Sequence, residues 1–436
     1  MQPSSRLPLL DVLRNRNFRF LWGTGVVSAT VEMSEILVLS WLVLQLTDSA
    51  WYVALVGVCR TGSMFAFSLF SGALGDRFDR RRIMMVIECI NIAVVASIIA
   101  ILAADFIQPW HLFIAAVIRG GVRSFDNTCR RALTFQVVQS RTLIQAVSLD
   151  HVAFSTGKIV GPISMGALLQ VTDTAVSAYS AIAAFHLVSL FCLFMVKVDP
   201  ASPAPPRRPV LASITEGMRH AFSTPPIAGV LAITVPMNTI FQYQLFIPVI
   251  ARDHLHVGPG LMGLLAAADG IGFIIGSVAI GLWGHLIKYH GRIFLIGSLG
   301  VCVLLAAFAV SPWYPLSFLL LVAVGFSQVG FSTMQAGILL LASPQNFHGR
   351  VFGAQQVAVG TGNFGSLQIG ALAAVYEAPA ALAANGIVGA ALLLIIALLM
   401  PALRRPLPGA HPPPTPALHP SLPQPTSPSA KTSHHK

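Results

Sequence analysis

The sequence is short of charge: Asp, Glu, Lys and Arg make up 10% of 436 residues, against roughly 25% in a soluble globular domain. With 55% hydrophobic residues and a mean hydropathy of +0.74, that shortage excludes an ordinary water-soluble enzyme and points to lipid as the solvent. Cysteine is scarce too. Cys59, Cys89, Cys129, Cys192 and Cys302 form no CxxC pair and fall in or beside apolar runs, so they read as small core residues and not as disulfides or metal ligands. There is no HExxH, no GxxxxGK[ST] phosphate loop and no serine-hydrolase order, which leaves no expected enzyme activity or cofactor and makes an ion gradient the energy source. The 27 Lys and Arg outnumber the 16 acids, yet they lie in short clusters between apolar runs, so the lipid bilayer, and not nucleic acid, is the expected partner. Arg14, Arg16 and Arg19 lead into an apolar run too long for a signal-peptide core, and this start reads as a first spanning helix.

Spans can be drawn at 18–46, 51–74, 83–104, 110–128, 147–169 and 176–196, and again at 227–250, 259–283, 293–311, 315–336, 352–374 and 380–402. The expected fold is therefore an all-α membrane protein with twelve transmembrane helices in two six-helix bundles, 1–196 and 227–402. Between them lies a cytoplasmic linker, 197–226, that begins Pro-rich and ends in a short interfacial helix near Ile214; a disordered Pro-rich cytoplasmic tail, 403–436, follows. With both termini cytoplasmic, Arg252 alone falls outside, Arg60, Arg119, Arg123 and Lys158 fall within spans, and the other basic residues lie on the inner side. The histidines of the tail have neither regular spacing nor acidic partners, so no metal is expected there. Gly161, Gly166, Ala167 and Leu168 recur at constant spacing as Gly365, Gly370, Ala371 and Leu372, a trace of duplication.

Between the second and third spans, Gly72-Ala-Leu-Gly75-Asp76-Arg77-Phe-Asp-Arg80-Arg-Arg embeds an acid among arginines next to glycines that permit close helix approach. In the fifth span, Gly157, Gly161 and Gly166 place small residues on nearly one face, around a bend at Pro162. The first motif resembles the signature of the major facilitator superfamily, with Asp79 in place of a later glycine; the second resembles the Gly-Pro motif of its antiporting exporters. Asn15-Arg-Asn-Phe-Arg, Glu216-Gly-Met-Arg, His348-Gly-Arg-Val and Gly365-Ser-Leu-Gln-Ile-Gly-Ala-Leu extend the resemblance to the branch that contains macrolide efflux and enterobactin exporters. The resemblance implies gating roles for Gly72, Gly75, Asp76, Arg77 and Arg80, and for Gly157, Gly161, Pro162 and Gly166. The corresponding loop of the second half, from Gly281 to His285, lacks the acid.

Charges inside spans carry the next layer, because an ionised group at mid-bilayer costs at least ~2.5 kcal/mol and faces a cavity or a partner. Glu32 and Glu35 stand one turn apart on one face of the first span; they either share a coupled proton or form a structural ion pair with Arg60 of the adjacent span. Asp269 in the eighth span is the next proton-coupling candidate. Arg119, Arg123 and Asp126 form one polar stripe on the fourth span, which either binds substrate or balances the acids of the first. Lys158 lies just before the Gly-Pro turn, where the resemblance implies a counter-charge. Asn238, Gln242, Tyr243 and Gln244 in the seventh span, and Gln355, Gln356, Asn363 and Gln368 in the eleventh, are further cavity candidates; Glu88 and His186 read as structural. The expected function is export of a small-molecule substrate across the plasma membrane, the inner membrane if the source is Gram-negative, in exchange for protons by a monomeric carrier. The alternatives are a facilitator, a proton-coupled importer or a non-transporting sensor.

Overall fold

The computed structural model describes residues 12–77, 79–138, 143–197, 218–219, 221–284, 287, 289–344 and 347–404. In the first half, α1 is Arg16–Thr47, α2 Ala50–Arg77, α3 Arg80–Ala103, α4 Pro109–Val137, α5 Leu143–Thr172 and α6 Ala175–Met195. In the second half, α7 is Pro225–Ile240, α8 Pro259–Trp283, α9 His290–Ala309, α10 Tyr314–Ala342, α11 His348–Gly360, α12 Gly362–Tyr376 and α13 Ala378–Leu399. Most of the expected linker and nearly all of the tail lie outside the described residues.

Local chemistry sets the ends of these helices. Asn15 caps α1 by accepting from the backbone N–H groups of Asn17 and Phe18, and the Asn17 side chain pairs with the backbone of Lys197, pinning the start of α1 to the end of α6. Asp79, the residue that departs from the superfamily signature, caps α3 by accepting from Arg81 N–H at 2.9 Å. The Arg81 guanidinium in turn donates to the carbonyls of Leu193 and Phe194 at the end of α6. At the opposite end of the bundle, Asp48, Asp105 and Asp173 each take a positive φ near 50° and turn the chain between successive helices.

Ten helices among the described residues are long and apolar enough to cross a membrane. Two expected spans are not among them, for different reasons. The fourth, α4, has ample length but carries Arg119, Arg123, Asp126, Arg130 and Arg131. The eleventh is interrupted at Thr361, where α11 gives way to α12. The seventh also departs from a regular helix: after α7 it winds as 3-10 helix over Phe241–Phe246 and, past one short α turn, as π-helix over Ile250–His254. Exposed Val86, Phe191, Ile296, Leu319 and Leu398 cover the outside of the bundle, as a lipid solvent requires.

Glycines fix how the two halves meet. A Cβ at Gly157 would strike the backbone of Ala29, and one at Gly161 the carbonyl of Thr30, so both admit α1 against α5. Gly166 instead meets Pro259 and Gly263 of α8, in the other half. The shared face expected for all three is thus two faces, because the five-residue step from Gly161 to Gly166 turns a helix by about 140°. The duplicated residues repeat this division: Gly365 admits α7 within its own half, and Gly370 meets Ala54 of α2 across the interface.

Candidate functional site

Within the first half, α1 directs Glu32 and Glu35 at arginines from two neighbours. Arg60 of α2 and Arg123 of α4 both reach Glu32, the former at 3.3 Å, while Arg119 of α4 pairs with Glu35. Of the ion pairs expected for Arg60, the one with Glu32 forms, and the one with Glu35 is taken over by Arg119, because the arginine stripe of α4 supplies Glu35 with its own cation. The stripe continues downward: Arg123 donates to Ser28 Oγ at 2.8 Å, and Asp126 accepts from Arg130 at 3.0 Å while Arg130 donates to Thr24 Oγ1. On the other side, Arg119 lies 3.0 Å from His186 Nε2, His186 Nδ1 lies 2.6 Å from Glu88, and Ser189 donates to the second Glu88 oxygen. Glu88 and His186 therefore belong to the same network as Glu35. The sequence carries no local signal for that, since the partners stand on four different helices, α1, α3, α4 and α6.

Four carboxylates, Glu32, Glu35, Glu88 and Asp126, face four guanidiniums, Arg60, Arg119, Arg123 and Arg130. Each acid has its own cation or imidazole, so the repulsion expected between Glu32 and Glu35 is compensated in this conformation. The free space among these side chains is about 40 Å³, enough for a few waters and too small for an organic solute.

A second polar site joins the halves. Lys158 Nζ of α5 lies 2.7 Å from Asp269 Oδ2 of α8 and 3.2 Å from Gln328 Oε1 of α10. Tyr243 OH and Gln244 Nε2 each donate to Asp269 Oδ2 at 2.9 Å. Tyr243 is buried and bound to Asp269, so it holds that carboxylate instead of lining open space. Asn238 and Gln242 turn back onto the α7 backbone, at Thr234 and Asn238, and Gln242 also accepts from Ser366. Gln355 binds Gln335, which donates to Thr234; these amides tie helices together. The side chains of Asn363, Asp76 and Arg77 lie outside the described residues, as does the packing around Gly72 and Gly75. Arg80 opens α3 beside the Asp79 cap.

Comparison with known proteins places this arrangement. Residues 9–422 match the family model described as transmembrane secretion effector. The chain belongs to this family, within the major facilitator superfamily. The enterobactin exporter EntS of Escherichia coli O1:K1 / APEC is 25% identical over 366 residues, covering 80% of this chain and 85% of the relative, and the EntS of Shigella boydii serotype 18 matches to the same extent. Among solved structures, a mutant of the nucleoside transporter NupG superposes with a TM-score of 0.70 at 10% identity, over 89% of this chain and all of that one. A mutant of the peptide transporter POT, in complex with sulfate, gives 0.72 at 11% identity, over 89% and 95%. These likenesses establish the superfamily fold. The chain is accordingly a multi-pass plasma-membrane transporter and not an enzyme.

Proposed function

We propose that the chain is a secondary active exporter that moves a small molecule outward in exchange for protons. In this reading α4 and the α11–α12 pair complete twelve spans, arranged as two bundles, 1–196 and 227–402, with linker and termini in the cytoplasm and the monomer as the working unit. The paired arginines on α4 make a span of α4 tolerable, because its charges meet acids inside the bundle and not lipid. With that orientation, the contacts of Arg252 with Leu44 and Asp48, and of Gln170 with Gly260, lie at the outer end, and the described conformation is closed to the outside.

The observation that carries the reading is Glu32, a carboxylate held by arginines from two helices inside a half-buried network. A proton on Glu32 releases Arg60 and Arg123 together and so changes the packing of α1 against α2 and α4. Glu35 and Asp269 are the accompanying coupling residues, Arg60, Arg119, Arg123 and Lys158 the cavity charges, and the Gly72–Arg80 and Gly157–Gly166 segments the gates. The similarity to an exporter, and the Gly-Pro turn at Pro162, support the outward direction.

The test begins by comparing metabolites released by cells with and without the protein, which identifies the cargo. Proton flux driven by that cargo is then read with a pH-sensitive dye in liposomes. Glu32→Gln is expected to abolish cargo-driven proton movement and to retain cargo binding. Wild-type coupling in the Glu32→Gln, Glu35→Gln double variant overturns the assignment.

A further inference from the structure

Every described partner of the Lys158 ammonium comes from the opposite half: Asp269 and the ring face of Phe273 on α8, and Gln328 on α10. Asp269 is placed differently. Its Oδ2 keeps two donors, Tyr243 and Gln244, from its own half, and its buried Oδ1 has no partner. Both side chains are almost wholly buried, at 4% and 2% exposure, between helices that touch through Gly166–Gly263 and through Gly270 against Lys158 Cβ. When α5 and α8 part, the carboxylate retains hydrogen bonds and the ammonium retains none. The acids of α1 and α4 are already paired elsewhere, since Glu32, Glu35 and Asp126 are each engaged by arginine and none of them contacts Lys158 among the described residues. A stranded cation at mid-bilayer demands an anion from elsewhere.

We infer that the transported compound carries an anionic group that takes the place of Asp269 on Lys158, so that loading the carrier also unfastens its two halves. This deepens the exporter reading and rests on it. Met33, Ile36, Leu37, Pro162 and Ile247 line the space beside the pair, so the site suits an anion joined to an apolar body. That space holds about 20 Å³ when the ion pair is closed, room for a water at most, and therefore the anion enters only by displacing Asp269. The same turn of α1 borders the Glu32 network on its other face, which places the anion next to the proton-coupling acids.

The test uses the full chain in detergent and a matched probe pair, dansylglycine, a carboxylate, and dansylglycinamide, its neutral analogue. Binding is followed by fluorescence. Opening is followed as the distance between spin labels at the exposed positions Thr174 and His256, which flank the α5–α8 contact. Dansylglycine is expected to bind more tightly than the amide and to lengthen the label distance. Lys158→Gln should weaken dansylglycine by about tenfold or more, as loss of a charge-assisted contact does, and leave the amide unchanged. Lys158→Arg should retain most of the binding. Asp269→Asn should bind the anion more tightly and hold the labels apart without ligand. Because Lys158→Gln alone strands Asp269, the Lys158→Gln, Asp269→Asn double variant removes both charges together; it should open freely and fail to discriminate the probes. Equal binding of both probes to the wild type, or undiminished anion binding in the double variant, overturns the anion assignment and leaves the carrier reading standing. Opening that follows acidification alone, with no effect of dansylglycine, overturns it in favour of a proton at Asp269. No lengthening with either probe at any pH overturns both the inference and the alternating-access reading beneath it.

Discussion

Arg119 Nη1 lies 3.0 Å from His186 Nε2, and because a guanidinium only donates, that imidazole nitrogen is the acceptor. His186 is thereby the neutral tautomer that carries its hydrogen on Nδ1 and donates it to Glu88 at 2.6 Å. A polarised chain runs from Ser189 through Glu88, His186 and Arg119 to Glu35, joining α6, α3, α4 and α1.

His186→Phe fills the same space but leaves Glu88 and Arg119 each short of a buried partner. The expected cost is about 2 kcal/mol or more, seen as a lower melting temperature in detergent. His186→Gln, which restores a donor and an acceptor, should recover part of it. Equal stability of His186→Phe and wild type would contradict the tautomer assignment.

Arg119→Ala and Arg123→Ala separate by consequence. Glu35 is buried against Arg119, so Arg119→Ala strands a charge, with an expected loss of about 3 kcal/mol. Glu32 keeps Arg60 when Arg123 is removed, and Arg123→Ala should cost less and alter proton coupling more. Thermal melts and dye-monitored proton flux on the same preparations check the order.

Helix capping and gating are distinguishable in the loop between α2 and α3. Asp79→Ala removes the cap on α3 and should lower stability by about 1 kcal/mol with the transport rate per folded molecule unchanged. Asp76→Asn should slow transport with expression intact. A rate loss in Asp79→Ala at full stability would move the gating role to the cap residue.

Much of this was legible in sequence. Length and hydropathy give the helices, and the arginine spacing of α4 gives the stripe, because a helix carries residues three and four apart on one face. The partners of that stripe were not legible. Arg60 and Arg119 stand at similar depth, and choosing between them for Glu35 depends on how α2 and α4 rotate about their axes, which local periodicity leaves open. Glu88 and His186 read as structural because the resemblance puts the third and sixth spans at the periphery; only packing of α3 and α6 onto α4 brings Arg119 to the imidazole. The Lys158–Asp269 contact has the same origin, across two halves.

Glycine substitutions tell the two kinds of contact apart. Gly272→Ala would drive a Cβ into the carbonyl of Val322, and Gly325→Ala into that of Asp269, both inside the second half, so each should reduce stability in every state. Gly166→Ala meets Pro259 and Gly263 across the interface and should weaken the closed outer end with little effect on the melting of either half. Label distances at Thr174 and His256, read beside thermal melts, check both outcomes.

The uneven winding of the seventh span has a mechanical consequence. Its 3-10 stretch, Phe241–Phe246, is overwound and its π stretch, Ile250–His254, is underwound, so the excess rotation gathered in one is given back in the other. Tyr243 and Gln244 ride on the overwound part, while Arg252, inside the underwound part, is tied to Leu44 and Asp48 of the first half. A change of winding over Phe241–Phe246 would turn both donors around the helix axis together. The grip on Asp269 therefore depends on local winding as well as on where the whole span sits.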